Sequence, residues 1–357
     1  MKTKTFIIAE AGVNHNGSLK IAKQLVDVAV KAGADAVKFQ TFISEKAVST
    51  YAEKADYQKR LTDKSESQLE MVKKLELSFE EFKEISNYCE SKNILFLSTA
   101  FDLESLVFLD REINIPIFKI PSGEITNGLL MLNAAKTQKS IILSTGMSTL
   151  EDIDNALAVM NYGYLFPEKT PVDFAEIKRL YNETDVKIIK EKVSILHCTT
   201  EYPAPFEELN LKAIQTLSKR FGTKVGLSDH SNGIIAPIAA VALGAEIIEK
   251  HFTLDNKMLG PDHQASLEPP ELKEMIDNIR KIECSLGDGI KKMTESEKKN
   301  YSIARKSLVA EKEIVEGEIL TSENVGMKRP GNGMNPLFYW EIIGRESKKT
   351  YKRDEPI

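Results

Sequence analysis

Short apolar runs recur along the chain at 5–9 (TFIIA), 35–40 (DAVKFQ), 94–99 (ILFLST), 116–120 (PIFKI), 140–145 (SIILST), 193–198 (VSILHC), 224–228 (KVGLS) and 246–250 (EIIEK). Between most of them the apolar spacing changes to that of amphipathic helices, as at 18–31, 79–91, 103–110, 149–161 and 234–243. Near-continuous apolar strands alternating with helices predict a parallel sheet covered on its outer face, and eight strands suffice to close it. The expected fold is α/β, a (β/α)8 barrel. Its chemistry should lie at the C-terminal strand ends, where the βα loops converge over a packed core.

Reading outward from those ends gives Glu10, Asn14 and His15, then Lys38 and Gln40, Ser98 and Thr99, and Lys119, Ser122 and Glu124. Ser144 and Thr145 follow, then His197 and Thr199, then Ser228, Asp229 and His230, and finally Lys250 and His251. All five histidines, His263 included, fall at a strand end or in the loop after it, which predicts one shared polar face.

Composition narrows the classes. At 357 residues and 42% hydrophobic, the chain can bury a barrel and a small second domain. A net charge of −5 gives no general attraction for nucleic acid or an anionic membrane. No apolar run approaches membrane-spanning length, and MKTKTFIIAEAG passes into a strand without a signal-peptide core, so a cytoplasmic location is expected. Cys89, Cys198 and Cys284 are widely spaced and odd in number, as buried free thiols in a reducing compartment would be. The barrel pattern covers 1–284, a charged Gly-containing linker 285–300, and a small domain of short β-like pieces (SLVAEKEI, EILTSENVGMKR, WEIIGRESKKTY) 301–357. The stretch 162–190 is long for a connection between strands five and six and reads as a surface excursion.

His230 and His251 end neighbouring strands, so their imidazoles could meet on one divalent cation that keeps open positions for substrate oxygens. Cys198 follows an inward His197 and is expected to point away. Lys38 and Lys119 suit either an anion clamp or a Schiff-base nucleophile, and ion pairs with Glu10 or Glu124 are the structural alternative. The hydroxyls of Ser98, Thr99, Ser122, Ser144 and Ser228 favour a phosphate. Glu124 is a candidate general acid or base, or a helix cap. Tyr202 and the loop bearing Asp262 and His263 are candidate pocket walls.

The runs AEAGVNHNG, VKFQTF, ESQLEMVKKLEL, KIPSGEITN, LSTGM, HCTTEYPAP, GLSDHS, EKHFTLD, GPDHQASLEP and KRPGNG together resemble bacterial sialic acid synthases of the N-acetylneuraminate and legionaminate type, over essentially the whole chain. The resemblance implies a barrel joined to a β-rich antifreeze-like (SAF) domain, in a domain-swapped homodimer. It implies phosphoenolpyruvate held by Lys38, Thr99, Lys119, Ser122, Ser144 and Ser228, and an acylamino sugar held by Tyr202, Asp262 and the partner's Arg329. Glu124 would be catalytic, and His230 and His251 would hold manganese, with magnesium or cobalt as alternatives. The expected reaction condenses phosphoenolpyruvate with N-acetylmannosamine or 2,4-diacetamido-2,4,6-trideoxymannose. Thr199, Thr200 and Glu201 stand where some N-acetylneuraminate synthases carry an asparagine, and the wording is closer to legionaminate synthases. Thr200, Tyr202 and Gln264 are expected to face the distal end of the sugar. Two other classes share the barrel: a Schiff-base aldolase using Lys119 or Lys250, and phosphoenolpyruvate synthases for phosphorylated sugars, which need a second cation cluster.

Overall fold

The structure, a computed structural model, describes residues 4–55, 58–59, 62 and 65–357; the basic start at 1–3 lies outside them. Eight parallel strands close in chain order into a barrel: β1 (Phe6–Gly12), β2 (Ala36–Thr41), β3 (Leu95–Ala100), β4 (Ile117–Ile120), β5 (Ser140–Ser144), β6 (Val193–Cys198), β7 (Lys224–Asp229) and β8 (Ile247–His251). β8 returns beside β1 with Glu10 opposite His251, which sets two chemistry-bearing strand ends side by side.

The helices between them form where capping and apolar spacing agree. Leu19–Ala32 starts at Ser18, whose side chain accepts from the Ile21 N–H, and buries Ala22, Leu25, Val26 and Ala29. It ends at Gly33, whose φ of +86° is a left-handed conformation that costs glycine little. Phe79–Ser91 and Leu150–Leu165 begin with reciprocal capping boxes, Ser78 with Glu81 and Thr149 with Asp152. The long 162–190 connection is helical: it completes Leu150–Leu165 and adds Phe174–Glu183 and Lys187–Lys192. Asn161 Nδ2 to Thr184 Oγ1 at 3.1 Å and Lys178 Nζ to Asn155 Oδ1 at 2.8 Å hold it on the outer layer.

Strand alternation stacks two rings inside the barrel. Ile8, Ala36, Leu97, Ile142, Leu196 and Ile247 pack as one apolar plug, distinct from the larger core between strands and helices. Two residues further along the same six strands stand Glu10, Lys38, Thr99, Ser144, Cys198 and Glu249, and all six line a cavity at the mouth. β4 and β7 add Lys119 and Ser228 to the same lining. The plug is closest at Gly226, where a Cβ would collide with the Ile247 carbonyl and the Leu196 side chain.

The chain divides into two compact units, Met1–Leu286 and Gly287–Ile357. In the second, β9 (Ser307–Ala310) pairs antiparallel with β10 (Val325–Lys328) over a core of Leu308, Ala310, Ile314, Leu320, Val325 and Ile342. Two of its segments differ from the sequence expectation. The charged stretch expected as linker runs into a helix, Glu295–Ala304, because Thr294 and Glu297 form a capping box. Trp340, Glu341 and Ile342 lie in a short helix, Tyr339–Ile342, rather than a strand. Cys89 and Cys198 are buried, but Cys284 is exposed on the last turn of Pro269–Ser285. No helix among the described residues is long and apolar enough to cross a membrane.

Candidate active site

The mouth cavity, about 310 Å³, gathers Lys38, Thr99, Lys119, Ser122, Ser144, Tyr202, Ser228, His230, His251 and Asp262. Its floor is a four-charge network. Lys38 Nζ lies 2.8 Å from Glu10 Oε2 and 3.7 Å from Glu249 Oε2, and donates to Thr99 Oγ1 at 3.0 Å. Lys119 Nζ donates to Glu249 Oε1 at 3.0 Å, and Ser228 Oγ donates to the same oxygen at 2.9 Å. The partner of Lys119 is therefore Glu249 and not Glu124.

Burial and pairing split the two carboxyls apart. Burial pushes Glu10 up to about 7, against the pull of Lys38. Glu249 is equally enclosed, but Lys119 and Lys38 overcome the burial effect and hold it down at about 2. Burial lowers Lys119, and Glu249 only partly offsets it; Lys38, between two carboxylates, is raised despite burial. Above the floor the hydroxyls of Ser144 and Thr200 are buried without a hydrogen-bond partner among the described residues. An anion bound here would meet two ammonium groups and two unpartnered hydroxyls, the kind of donor set that a phosphate and a carboxylate require.

The LSTGM turn is shaped for this. Gly146 N–H donates to Ser122 Oγ at 2.9 Å, and a Cβ at Gly146 would strike Thr200 Oγ1 and crowd Ser122 Oγ at 2.9 Å. Only glycine lets the loops after β4, β5 and β6 meet so closely.

His230 and His251 face each other with ring centroids 5.5 Å apart. His230 Nδ1 lies 2.7 Å from the Thr199 carbonyl, so that nitrogen carries a proton, and against the effect of burial Cys198 and this carbonyl raise the imidazole above its ordinary value. Nε2 meets the Tyr202 hydroxyl at 3.0 Å, and the Tyr202 ring stacks on His230 at 4.1 Å. His251 Nδ1 is buried with no hydrogen-bond partner among the described residues, and Asp262 Oδ2 lies 4.0 Å away. Burial lowers His251 well below the ordinary imidazole value, and the neighbouring His230 adds to this. Burial also pushes Asp262 up to about 6. Among the described residues no three His, Cys, Asp or Glu side chains converge as a metal cage, which does not fit a closed structural zinc. Two facing imidazoles, His251 with an orphaned nitrogen, do fit a divalent ion that completes its shell with water and substrate oxygens.

Several sequence expectations need correcting. Cys198, not His197, points inward: Leu196 belongs to the apolar plug, so alternation carries Cys198 into the mouth, where its Sγ lies 3.7 Å from His230 Nδ1. His197 faces the other way and meets the Leu209 carbonyl at 2.6 Å. The five histidines do not share one face. His15 Nδ1 accepts from the Gly17 N–H at 3.1 Å, and His263 is bound by Thr253 Oγ1 at 2.7 Å and Asn16 Oδ1 at 3.2 Å, so both brace loops. Ser98 leaves the hydroxyl ring because it lies on the outer face and bonds Thr41 Oγ1 at 2.7 Å. Gln264 is exposed and outside the lining. Glu124 is also outside the lining: it accepts from Asn127 Nδ2 at 2.7 Å, beside the cap of the helix Gly128–Lys136. Arg329 is exposed, immediately after β10 in the second unit.

Glu249 was missed by reading only strand ends. The signal was present, since a strand that presents His251 to the mouth must also present Glu249 two residues earlier.

Residues 25–291 match the NeuB family and residues 305–357 match the SAF domain. The chain belongs to the NeuB family. It is 51% identical to N,N'-diacetyllegionaminic acid synthase of Campylobacter jejuni over 99% of both chains, and 41% identical to the synthase of that name from Legionella pneumophila over 95% of this chain and 89% of that one. The crystal structure of N-acetylneuraminic acid synthetase from Leptospira borgpetersenii, in complex with citrate, superposes with a TM-score of 0.67 at 34% identity, covering 84% of this chain and 90% of that one. This NeuB-family chain is accordingly an enzyme of nonulosonic acid synthesis, with a TIM barrel and a SAF domain.

Proposed function

We propose that this synthase condenses phosphoenolpyruvate with an N-acylated mannosamine to give a nonulosonic acid and phosphate, with N,N'-diacetyllegionaminate as the product. One observation carries the reading: the lysines and hydroxyls of an anion site open into the same cavity as a pair of facing histidines. The sequence likeness to the C. jejuni and L. pneumophila synthases supports the product.

Lys38 and Lys119, with Thr99, Ser122, Ser144 and Ser228, hold the phosphate and carboxylate of phosphoenolpyruvate and fix its C3 toward the sugar aldehyde carbon. Positioning of this kind can remove several kcal/mol, roughly 7 at the lower end for well-aligned groups, from the barrier. His230 and His251 would hold a divalent ion, manganese or alternatively magnesium or cobalt, which when bound would supply Lewis-acid polarisation of the aldehyde oxygen. C3 attacks the aldehyde carbon, water adds at C2, and phosphate leaves as the C2–O bond breaks. Glu10, inside the cavity with a pKa near 7, can both give and accept a proton at neutral pH. Glu124 acts from the rim on a sugar hydroxyl or the attacking water, exchanging its bond to Asn127. Tyr202 and Asp262 line the sugar side. Arg329 completes the sugar site of the partner subunit in a homodimer working in the cytoplasm.

The test is phosphate release from phosphoenolpyruvate carrying ¹⁸O in the bridging position. The label should leave with phosphate, only when sugar is present, and His230→Ala or His251→Ala should weaken manganese binding in equilibrium dialysis. Label retained in the nine-carbon product would refute C–O cleavage. Mixing Arg329→Ala and Glu124→Ala chains should restore activity in heterodimers, and verified heterodimers without activity would refute the shared site. The lowered pKa of Lys119 favours a second reading, a Schiff-base aldolase. That reading requires trapping of pyruvate on Lys119 by borohydride. Lys250 is no candidate, being enclosed on the outer face of β8 and bonded to Asp229.

A further inference from the structure

Opposite the charged floor, the cavity has a wall of another kind. Phe42, Val48, Met71, Val72 and Phe101 line it, from the segments that follow β2 and β3. Phe42 packs with Val13 and Leu75 as a separate apolar cluster that Val72 and Phe101 join, the Phe42 and Phe101 rings meeting edge to face at 6.2 Å. This wall is therefore built and self-supporting, not an exposed edge of the main core.

Three glutamines also line the cavity; Gln40 donates to Glu10 Oε1 and Gln58 accepts from the Ala55 N–H, which leaves Gln68. Gln68, also in the lining, opens the short helix Gln68–Lys73, which Ser67 and Glu70 anchor through a capping box. Its Oε1 is buried and has no hydrogen-bond partner among the described residues. A buried amide left unpaired costs free energy that a bound ligand can recover. Phosphoenolpyruvate cannot be that ligand, because its anionic groups belong on the lysines and would be desolvated against this wall. The acceptor sugar must supply the partner. A sugar bearing only hydroxyls here would press several of them against Phe42, Met71 and Phe101, with Gln68 Oε1 as the buried acceptor left unpaired to meet them. An acylamino group fits on both counts, its N–H to Gln68 Oε1 and its methyl to the wall. If the Gln68 amide turns over, the acyl oxygen accepts from Nε2 instead, so the match holds in either orientation.

We propose that Gln68 and this apolar wall determine sugar specificity, selecting an acceptor with a second acylamino group and a deoxygenated end over one with hydroxyls there. This rests on the synthase reading given above and names the substrate class of the same cavity.

The experiment compares kcat/KM for 2,4-diacetamido-2,4,6-trideoxymannose and N-acetylmannosamine at saturating phosphoenolpyruvate. Wild type should favour the diacetamido sugar at least about 100-fold. Gln68→Leu, which keeps bulk and removes the amide, should shrink that ratio about tenfold or more, through the diacetamido sugar. Val72→Thr, nearly isosteric but polar, should shrink it to a lesser extent. A ratio unmoved by Gln68→Leu overturns the assignment alone, whereas a wild-type preference for N-acetylmannosamine overturns it together with the legionaminate product and leaves the phosphoenolpyruvate condensation intact. Phosphate release with neither sugar overturns the synthase reading, and this assignment falls with it.

Discussion

Lys119 and Lys250 are both enclosed lysines on the barrel, each hydrogen-bonded to a carboxylate, yet they sit in opposite circumstances. Lys250, on the outer face of β8, donates to Asp229 Oδ2 at 2.6 Å and to the Ser231 carbonyl, and Asp229 in turn accepts from the Ser231 N–H at 3.0 Å. Both carboxylate and carbonyl are thus committed to a lysine outside the mouth cavity. Lys119, on the inner face of β4, shares Glu249 with Lys38 and Ser228 and looks into an open cavity. A closed pair of this sort holds loops together, whereas a network whose lysines compete for carboxylates can release them to an incoming anion. The same residue types on the same barrel become structural or ligand-binding according to whether their carboxylate pairing faces a cavity or the enclosed outer side of a strand.

The sharpest break of this comparison is Lys119→Ala. It should lower kcat/KM for phosphoenolpyruvate about 10³-fold, roughly 4 kcal/mol, with calorimetry showing weakened affinity. Wild-type affinity in the variant would remove Lys119 from the anion site. Lys250→Ala should instead cost about 3–4 kcal/mol of stability, because it strands Asp229 as an unpaired buried charge. Urea unfolding would show this, and the double replacement Asp229→Leu with Lys250→Met should recover most of it. If the double variant is as unstable as the single one, packing and not charge is what Lys250 supplies.

The next effect is a pH dependence of folding. Burial depresses His15 from 6.5 to about 4. The unfolded chain takes up the proton first as pH falls, so the stability tied to neutral His15 is whole above about pH 6.5 and drains away toward pH 4. Its size is about 3 kcal/mol, from a shift of about 2.5 pH units at roughly 1.4 kcal/mol each. Urea midpoints at pH 7 and pH 4.5 should differ accordingly, and His15→Gln should flatten the difference. The smallest effect separates neighbours on β3. Ser98→Ala should lose about 1 kcal/mol of stability with its bond to Thr41, leaving the KM for phosphoenolpyruvate unchanged, whereas Thr99→Val should raise that KM. An effect of Ser98→Ala on KM alone would mean that the outer face communicates with the site.

Much of this was legible beforehand because it is local. An apolar run of six residues has few ways to be a buried strand, and the eight runs predicted here fall within about three residues of the eight strands at every end. The polar residues at strand ends followed from barrel geometry, and ten of the twelve candidate site residues line one cavity. The second unit was harder to read: 339–342 is helical although Trp340 and Ile342 are strand formers, since four residues are too few for propensity to decide.

What the chain alone determined was the order of elements, the closure of the barrel and the set of polar groups available at its mouth, all governed by side-chain period and residue type. Tertiary structure decided the rest. Strand phase could be set only by the plug, where Leu196 packs against its five partners and thereby turns Cys198 inward and His197 outward. Pairing across the barrel, Lys119 with Glu249 at a separation of 130 residues, gave one glutamate a pKa near 2 while its neighbour Glu10 stands near 7. Such contrasts arise because charge and desolvation act through space, between residues that the sequence keeps far apart.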